Sequence, residues 1–210
     1  MKKSDMTKQK ILKAATNQFS QKGLYGARID EIAAEAQINK RMLYEYFGNK
    51  ESLYAHVLEN VYQDLNEEED LVFSGNGDYE EALRSIIATY FRFLSNHPEF
   101  VRMLMWENLE QGSHLKLDAF GGIRDVMVVS ISNLIEKGKA IGRIRAEVDE
   151  KQVILTLISC SFNYFSNIHT LSRVLHMDLS SPESIEARIA HVTDMVLDYI
   201  TQPAPQRRKK

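Results

Sequence analysis

The sequence of 210 residues predicts an all-α fold of about nine helices, and three observations carry that prediction. Apolar residues recur at three- and four-residue spacing along nearly the whole chain, which is the pattern of helices with one buried face. Strand signals are missing: no stretch of four or more residues alternates β-branched with polar types, and no Asn-Gly or Asp-Gly turn joins two such stretches. Composition agrees, with 44% hydrophobic residues and only 4 prolines to interrupt helices.

Three short helices come first. Residues 7–22 put Ile11, Leu12, Ala15 and Phe19 on one stripe, with Thr7 as the expected N-cap and Gly23 as the stop. Lys10 stands where a capping box would need an acid, so that device is absent. Residues 28–36 follow, with Ile29, Ile32, Ala33 and Ala36 facing inward, and then residues 40–46, capped by Asn39, with Leu43 and Phe47 inward.

Asn49 then leads a long helix whose Leu53, Val57, Val61 and Leu65 recur every four residues, and residues 73–78 (FSGNGD) read as a loop. A helix over 79–96 ends at His97-Pro98, because proline lacks a backbone donor and pushes its predecessor out of the α region. Helices are expected over 99–110, over 124–137 with GKAIG as terminator, and over 150–168, which is apolar on almost every side. Ser181-Pro182 opens a last helix with a stripe at Ile185, Ile189, Val192, Val196 and Ile200, and residues 203–210 form a disordered basic tail.

Charge is distributed unevenly. Overall the chain has 26 basic and 29 acidic residues, a net −3, yet residues 1–50 carry ten basic against five acidic groups. A basic head on an acidic body suits a protein of which only one end meets a polyanion such as nucleic acid. One cysteine, Cys160, forms neither an internal disulfide nor a Cys-rich zinc site, and no stretch reaches the roughly 18–20 apolar residues of a bilayer span. A cytoplasmic protein without membrane association is expected.

The helices at 28–36 and 40–46 are joined by Gln37, Ile38 and Asn39 alone, the short connection of a helix-turn-helix, whose second helix enters the major groove of DNA. The run from Ile29 to Tyr54, IDEIAAEAQINKRMLYEYFGNKESLY, resembles the signature of the tetracycline-repressor (TetR/AcrR) family of regulators. Ile32, Ala33, Ala36, Ile38, Leu43, Tyr44, Phe47, Lys50, Glu51 and Leu53 stand in register, and Phe19, Lys22, Gly23 and Leu24 extend the likeness backward. Departures are Gln37 where glycine is usual at the turn, Asn39 for Ser or Thr, and Tyr46 for His.

The resemblance implies roles for particular residues. Tyr44 and Tyr46 would touch the DNA backbone, and Lys50, beside a helix N-terminus, would hold a phosphate. At the start of the recognition helix Lys40 and Arg41 would donate to guanine, and Met42 would meet a thymine methyl. Asn39 caps that helix, and Arg28 at the head of the preceding one is placed for phosphate or a neighbouring base. Residues 1–50 are thus expected to be the DNA-binding domain and 51–202 the ligand-binding and dimerisation domain.

In the body, the segments 97–112 and 165–175 are similar to the C-terminal domains of one group of these regulators, which usually enclose an apolar inducer pocket and dimerise through their last two long helices. The helix at 99–110 is apolar on several sides and is expected to be surrounded by protein, with Arg102 and Glu107 as charges that need a partner or a ligand. Arg102, Met103, Trp106 and Glu107 are therefore the candidate effector contacts, Met103 and Trp106 having plain core packing as the other reading. A two-fold dimer is expected through 150–168 and 182–200.

Enzyme chemistry lacks its parts. G-x-S-x-G, the P-loop pattern and any Glu-x-x-His pair are absent, and His169, His176 and Asp178 read as structural rather than as metal ligands. No cofactor is implied. The expectation is a homodimeric repressor released from a palindromic operator by a small, largely apolar effector; the alternative is a helical architectural DNA-binding protein or adaptor without an effector pocket.

Overall fold

The computed structural model describes residues 3–70, 79–115 and 126–201, and every regular element among them is helical. The helices are α1 (Lys3–Gly26), α2 (Ile29–Glu35), α3 (Lys40–Phe47), α4 (Lys50–Asp70), α5 (Tyr79–Asn96), α6 (Pro98–Leu109), α7 (Val126–Ala140), α8 (Glu150–Ser166), α9 (Ile168–Leu175) and α10 (Pro182–Thr201). None is long and apolar enough to cross a membrane. The tenth element is α9, separated from α8 by a break at Asn167 that hydropathy alone does not mark. The expected loop over 73–78 and the tail over 203–210 lie outside the described residues.

Two local expectations change. Thr7 is not the N-cap of the first helix, which begins at Lys3 and carries Thr7 in its interior. Gly23 does end the regular helical path, at φ 67° and ψ 179°, but one further turn runs on to Gly26, closed by the Ala27 amide on the Gly23 carbonyl at 3.2 Å. The expected caps at Asn39 and Asn49 form, and Asp149, not singled out from the sequence, caps α8 in the same way. The Asn39 side chain accepts from the Arg41 amide at 2.9 Å, Asn49 from the Ser52 amide at 2.7 Å, and Asp149 from the Lys151 amide at 2.9 Å. Pro98 occupies the first turn of α6, where its missing donor has no consequence.

The chain divides into two compact units, each with its own core. The first comprises residues 1–65 and 97–123. Its core joins Ile11, Ala15 and Phe19 of α1, Ile32 of α2, Leu43 of α3 and Leu53, Val57 and Leu58 of α4 with Met103 of α6. Tyr54 is fully buried there, edge-on to Phe19 with ring centres 5.1 Å apart. This packed unit therefore extends well past the expected DNA-binding segment 1–50, and α6 is part of it.

The second unit comprises residues 66–96 and 124–210. In it α5 packs on α7, α8 and α10 through Leu83, Ile87, Phe91, Ile131, Leu134, Val153, Leu157, Val192 and Val196. Two exposed ion pairs tie α5 to α10: Arg84 to Asp194 at 3.0 Å and Arg92 to Glu186 at 3.0 Å. The Ile185, Ile189, Val192, Val196, Ile200 stripe is buried inside this chain. The outward apolar residues of α8 and α10 are instead Leu155, Met195 and Tyr199.

Candidate nucleic-acid interface

The turn between α2 and α3 is set by Gln37, whose φ of 56° places it in the left-handed region. Around it the Gln37 amide donates to Ala34 O at 3.1 Å and the Ile38 amide to Ala33 O at 3.0 Å, so the carbonyls left open at the end of α2 are closed by this one residue. A β-carbon at such a φ costs about 1–2 kcal/mol, and glycine avoids that cost. Ile38, half-buried, packs on the core directly after the turn and balances part of it.

The recognition-helix residues stand out from this frame. Arg41 is among the most exposed side chains of the unit, Lys40 is exposed, and Met42 is half-buried. Both cations are held by acids on neighbouring turns: Lys40 Nζ lies 2.8 Å from Asp30 of α2, and Arg41 Nε 2.9 Å from Glu45 one turn along α3. The Asp30 contact raises the Lys40 pKa above the ordinary lysine value. Exposed pairs of this kind contribute little to stability, so phosphate or base oxygens can exchange with the carboxylates at small cost.

Tyr44 is exposed, whereas Tyr46 is half-buried against the core, with Lys8 of α1 over its ring at 6.0 Å. Arg28 is exposed at the head of α2, in extended conformation, and makes no side-chain cap. Lys50 opens α4 and donates to the Tyr25 carbonyl at 3.4 Å. Burial pushes the Lys50 pKa down, and the neighbouring Glu51 carboxylate opposes part of that shift.

Three residues beside these escaped the sequence reading. Asp30 and Glu45 hold Lys40 and Arg41, and Tyr25 is a 75% exposed tyrosine next to Lys50. Tyr25 was signalled by an aromatic lying off the Ile11–Phe19 stripe, between two glycines. Glu45 had a signal in its spacing, four residues after Arg41, whereas Asp30 lies on the preceding helix and had none.

The four candidate effector contacts lie in the first unit and meet different surroundings. Met103 is fully buried in the core formed with α1–α4. The Trp106 indole donates to Ser20 O of α1 at 3.2 Å, and its ring sits against Gly23, leaving no room for a β-carbon there. Glu107 is buried and accepts from the His114 amide at 2.6 Å and the Leu115 amide at 3.0 Å, with His114 Nδ1 at 3.2 Å. Burial and this carboxylate together push the Tyr54 phenol upward. Arg102 is exposed, and so are Met105 and Leu109, so α6 is not enclosed by its own chain as expected. Among the described residues no group of three or more His, Cys, Asp or Glu could hold a metal ion. Asp178 is held by Ser180 instead, whose amide and hydroxyl both donate to it.

Residues 11–57 match the family profile of bacterial regulatory proteins, tetR family, and residues 80–196 match that of the tetracyclin repressor-like C-terminal domain. The HTH-type transcriptional repressor NicS of Pseudomonas putida is 36% identical over 92% of both chains. The HTH-type transcriptional repressor SCO4008 of Streptomyces coelicolor is 39% identical over 52% of this chain and 53% of its own. Among solved structures, the regulator FadR of Bacillus subtilis, crystallised with stearoyl-CoA, superposes with a TM-score of 0.70 at 16% identity, over 91% of this chain and 98% of its own.

Proposed function

The chain belongs to the tetracycline-repressor family, and from that premise we propose that it is a transcriptional repressor, bound as a homodimer to a palindromic operator and released by a small, largely apolar effector. The observation that carries the DNA-binding half is the Asn39-capped helix α3, which presents Lys40 and Arg41 to solvent directly after the left-handed turn at Gln37. In this reading Lys40, Arg41 and Met42 read base edges, while Arg28, Tyr44, Tyr46 and Lys50 hold the sugar-phosphate backbone. Residues 1–50 serve DNA and residues 51–202 serve dimerisation and sensing, in the cytoplasm. The exposed Leu155, Met195 and Tyr199 support a dimer face on α8 and α10.

Arg102, Met103, Trp106 and Glu107 take a part in the switch. Met103 and Trp106 hold α6 to the core that positions α3, and Glu107 holds the segment after α6, so an effector that shifts α6 would disturb the DNA-binding helices. Sequencing the DNA that the purified protein selects from a random pool tests the reading. A two-fold symmetric site is expected, with half-sites about one helical turn or somewhat more apart. Selection of no consensus, or of an asymmetric one, would overturn it.

A further inference from the structure

One aromatic side chain of the first unit faces water with nothing in its own chain to account for it. Tyr25 is 75% exposed, more than any other large hydrophobic side chain among the described residues, and its ring and hydroxyl contact none of them. Its place is nevertheless fixed. Gly23, at φ 67° and ψ 179°, breaks the helical path of α1, and the Ala27 amide on the Gly23 carbonyl closes the turn that follows. Leu24, Ala27 and Ile29 are buried and anchor this stretch, leaving Tyr25 and Arg28 exposed between them. A tyrosine on a backbone held at three points is pre-positioned, and it has only two side-chain torsions to order on contact.

The surroundings are cationic. Lys50 donates its ammonium to the Tyr25 carbonyl at 3.4 Å, so a positive charge lies at the residue itself. Arg28 follows three positions later, in extended conformation and with its side chain making no cap. Two acids share the neighbourhood: Glu31 is neutralised by Lys22 at 2.6 Å, and Glu51 follows Lys50 on α4. An apolar protein surface laid on Tyr25 would strip water from Lys50 and Arg28 without answering their charge. A phosphodiester answers both, because its oxygens accept from the cations and from the phenol, the latter in a charge-assisted hydrogen bond.

We infer that Tyr25 is a further DNA contact, its hydroxyl donating to a phosphate oxygen beside the one that Lys50 holds, so that the turn between α1 and α2 rests on the sugar-phosphate backbone. Tyr25 lies outside the residues that carry the family likeness. The inference rests on the DNA-binding reading and extends it from α3 and the head of α4 to this turn.

Fluorescence anisotropy of the full-length protein on a selected operator duplex tests it, with neutral methylphosphonates placed in turn at matching positions of both half-sites. Tyr25→Phe removes one exposed oxygen and keeps the fold. It should weaken binding to operator and random duplex alike, by about fivefold or more, since a dimer makes the contact twice. The salt slope should stay as in the parent, because a neutral donor displaces no counterion. At one phosphate position the methyl group should weaken the parent yet cost Tyr25→Phe nothing further, while Lys50→Met should remain sensitive there. Parent affinity in Tyr25→Phe, or a loss accompanied by the parent's full sensitivity at every phosphate, overturns the inference. So does a changed base preference, which would put the phenol on a base edge, or loss of self-association in sedimentation, which would give the surface to a second protein chain. If the parent binds no duplex at all, the DNA-binding reading falls and takes this contact with it; if the parent binds and Tyr25→Phe equals it, only the contact falls.

Discussion

Gly23→Ala offers a quantitative test of how α6 is joined to the front helices. Gly23 sits at φ 67° and ψ 179°, a region that is essentially reserved for glycine and costs a side-chain-bearing residue about 1–3 kcal/mol. An added β-carbon would also lie 2.9 Å from two atoms of the Trp106 ring. The ring cannot retreat without stretching the indole bond to Ser20 O, worth about 0.5–1.5 kcal/mol. Against these stands about 0.4–1 kcal/mol of stabilisation from the less flexible unfolded chain. The net expectation is a loss of about 2–3 kcal/mol. Trp106 is the only tryptophan, so urea denaturation followed by its fluorescence reads the unit in question directly. A second measurement isolates the contact: in a Trp106→Ala background, followed by circular dichroism, Gly23→Ala should cost about 1 kcal/mol less than in the parent, because the backbone penalty persists and the ring is gone. A loss below about 1 kcal/mol in the parent, or equal losses in both backgrounds, would refute the reasoning.

Four further expectations concern DNA, the turn and the dimer. Lys50→Ala and Tyr44→Phe should weaken binding to all duplexes alike, Lys50→Ala also lowering the salt slope by about one unit, whereas Arg41→Ala should relax preference at one base position; binding selections and salt titrations distinguish these. Glu45→Gln removes the carboxylate held by Arg41 and should tighten binding to random duplex in anisotropy titrations, while a weakening would mean that Glu45 orients Arg41 for its base. Gln37→Gly should stabilise the protein by about 0.5–1 kcal/mol in urea, since glycine suits the left-handed turn. Leu155→Glu should yield folded monomers in sedimentation, and Ile189→Glu should unfold the chain, because the first side chain is exposed and the second is core.

Helix content and the recognition turn were legible because both are local. Spacing of three and four marks a buried face, a capping Asn marks a start, and a non-glycine residue where the turn needs positive φ marks a strained position, which Gln37 proved to be. What periodicity leaves open is the neighbour that covers each face. The last helix was expected to dimerise, yet its Ile185–Ile200 stripe is covered within the chain; α6 was expected to be surrounded and leaves Met105 and Leu109 exposed. Glu107 looked like a charge in need of a ligand, yet its partners are the backbone amides seven and eight residues downstream, a closure that depends on how the segment after α6 folds back. Tyr25 went unremarked because a tyrosine off the buried stripe reads as solvated surface until the third dimension shows the lysine beside it.

The first unit takes its core from two separate stretches of chain, with Met103 entering only from the later one. During synthesis α3 is therefore complete well before Met103, which belongs to the same core, has been made. A polypeptide cut short ahead of residue 97, by proteolysis or premature termination, keeps α1 to α3 entire but has an unfilled core behind them. Such a fragment would carry a cavity penalty of about 2–5 kcal/mol, comparable to much of the stability of a small domain. Broken copies would be removed as unfolded chains before they could compete with intact protein for whatever its first three helices bind.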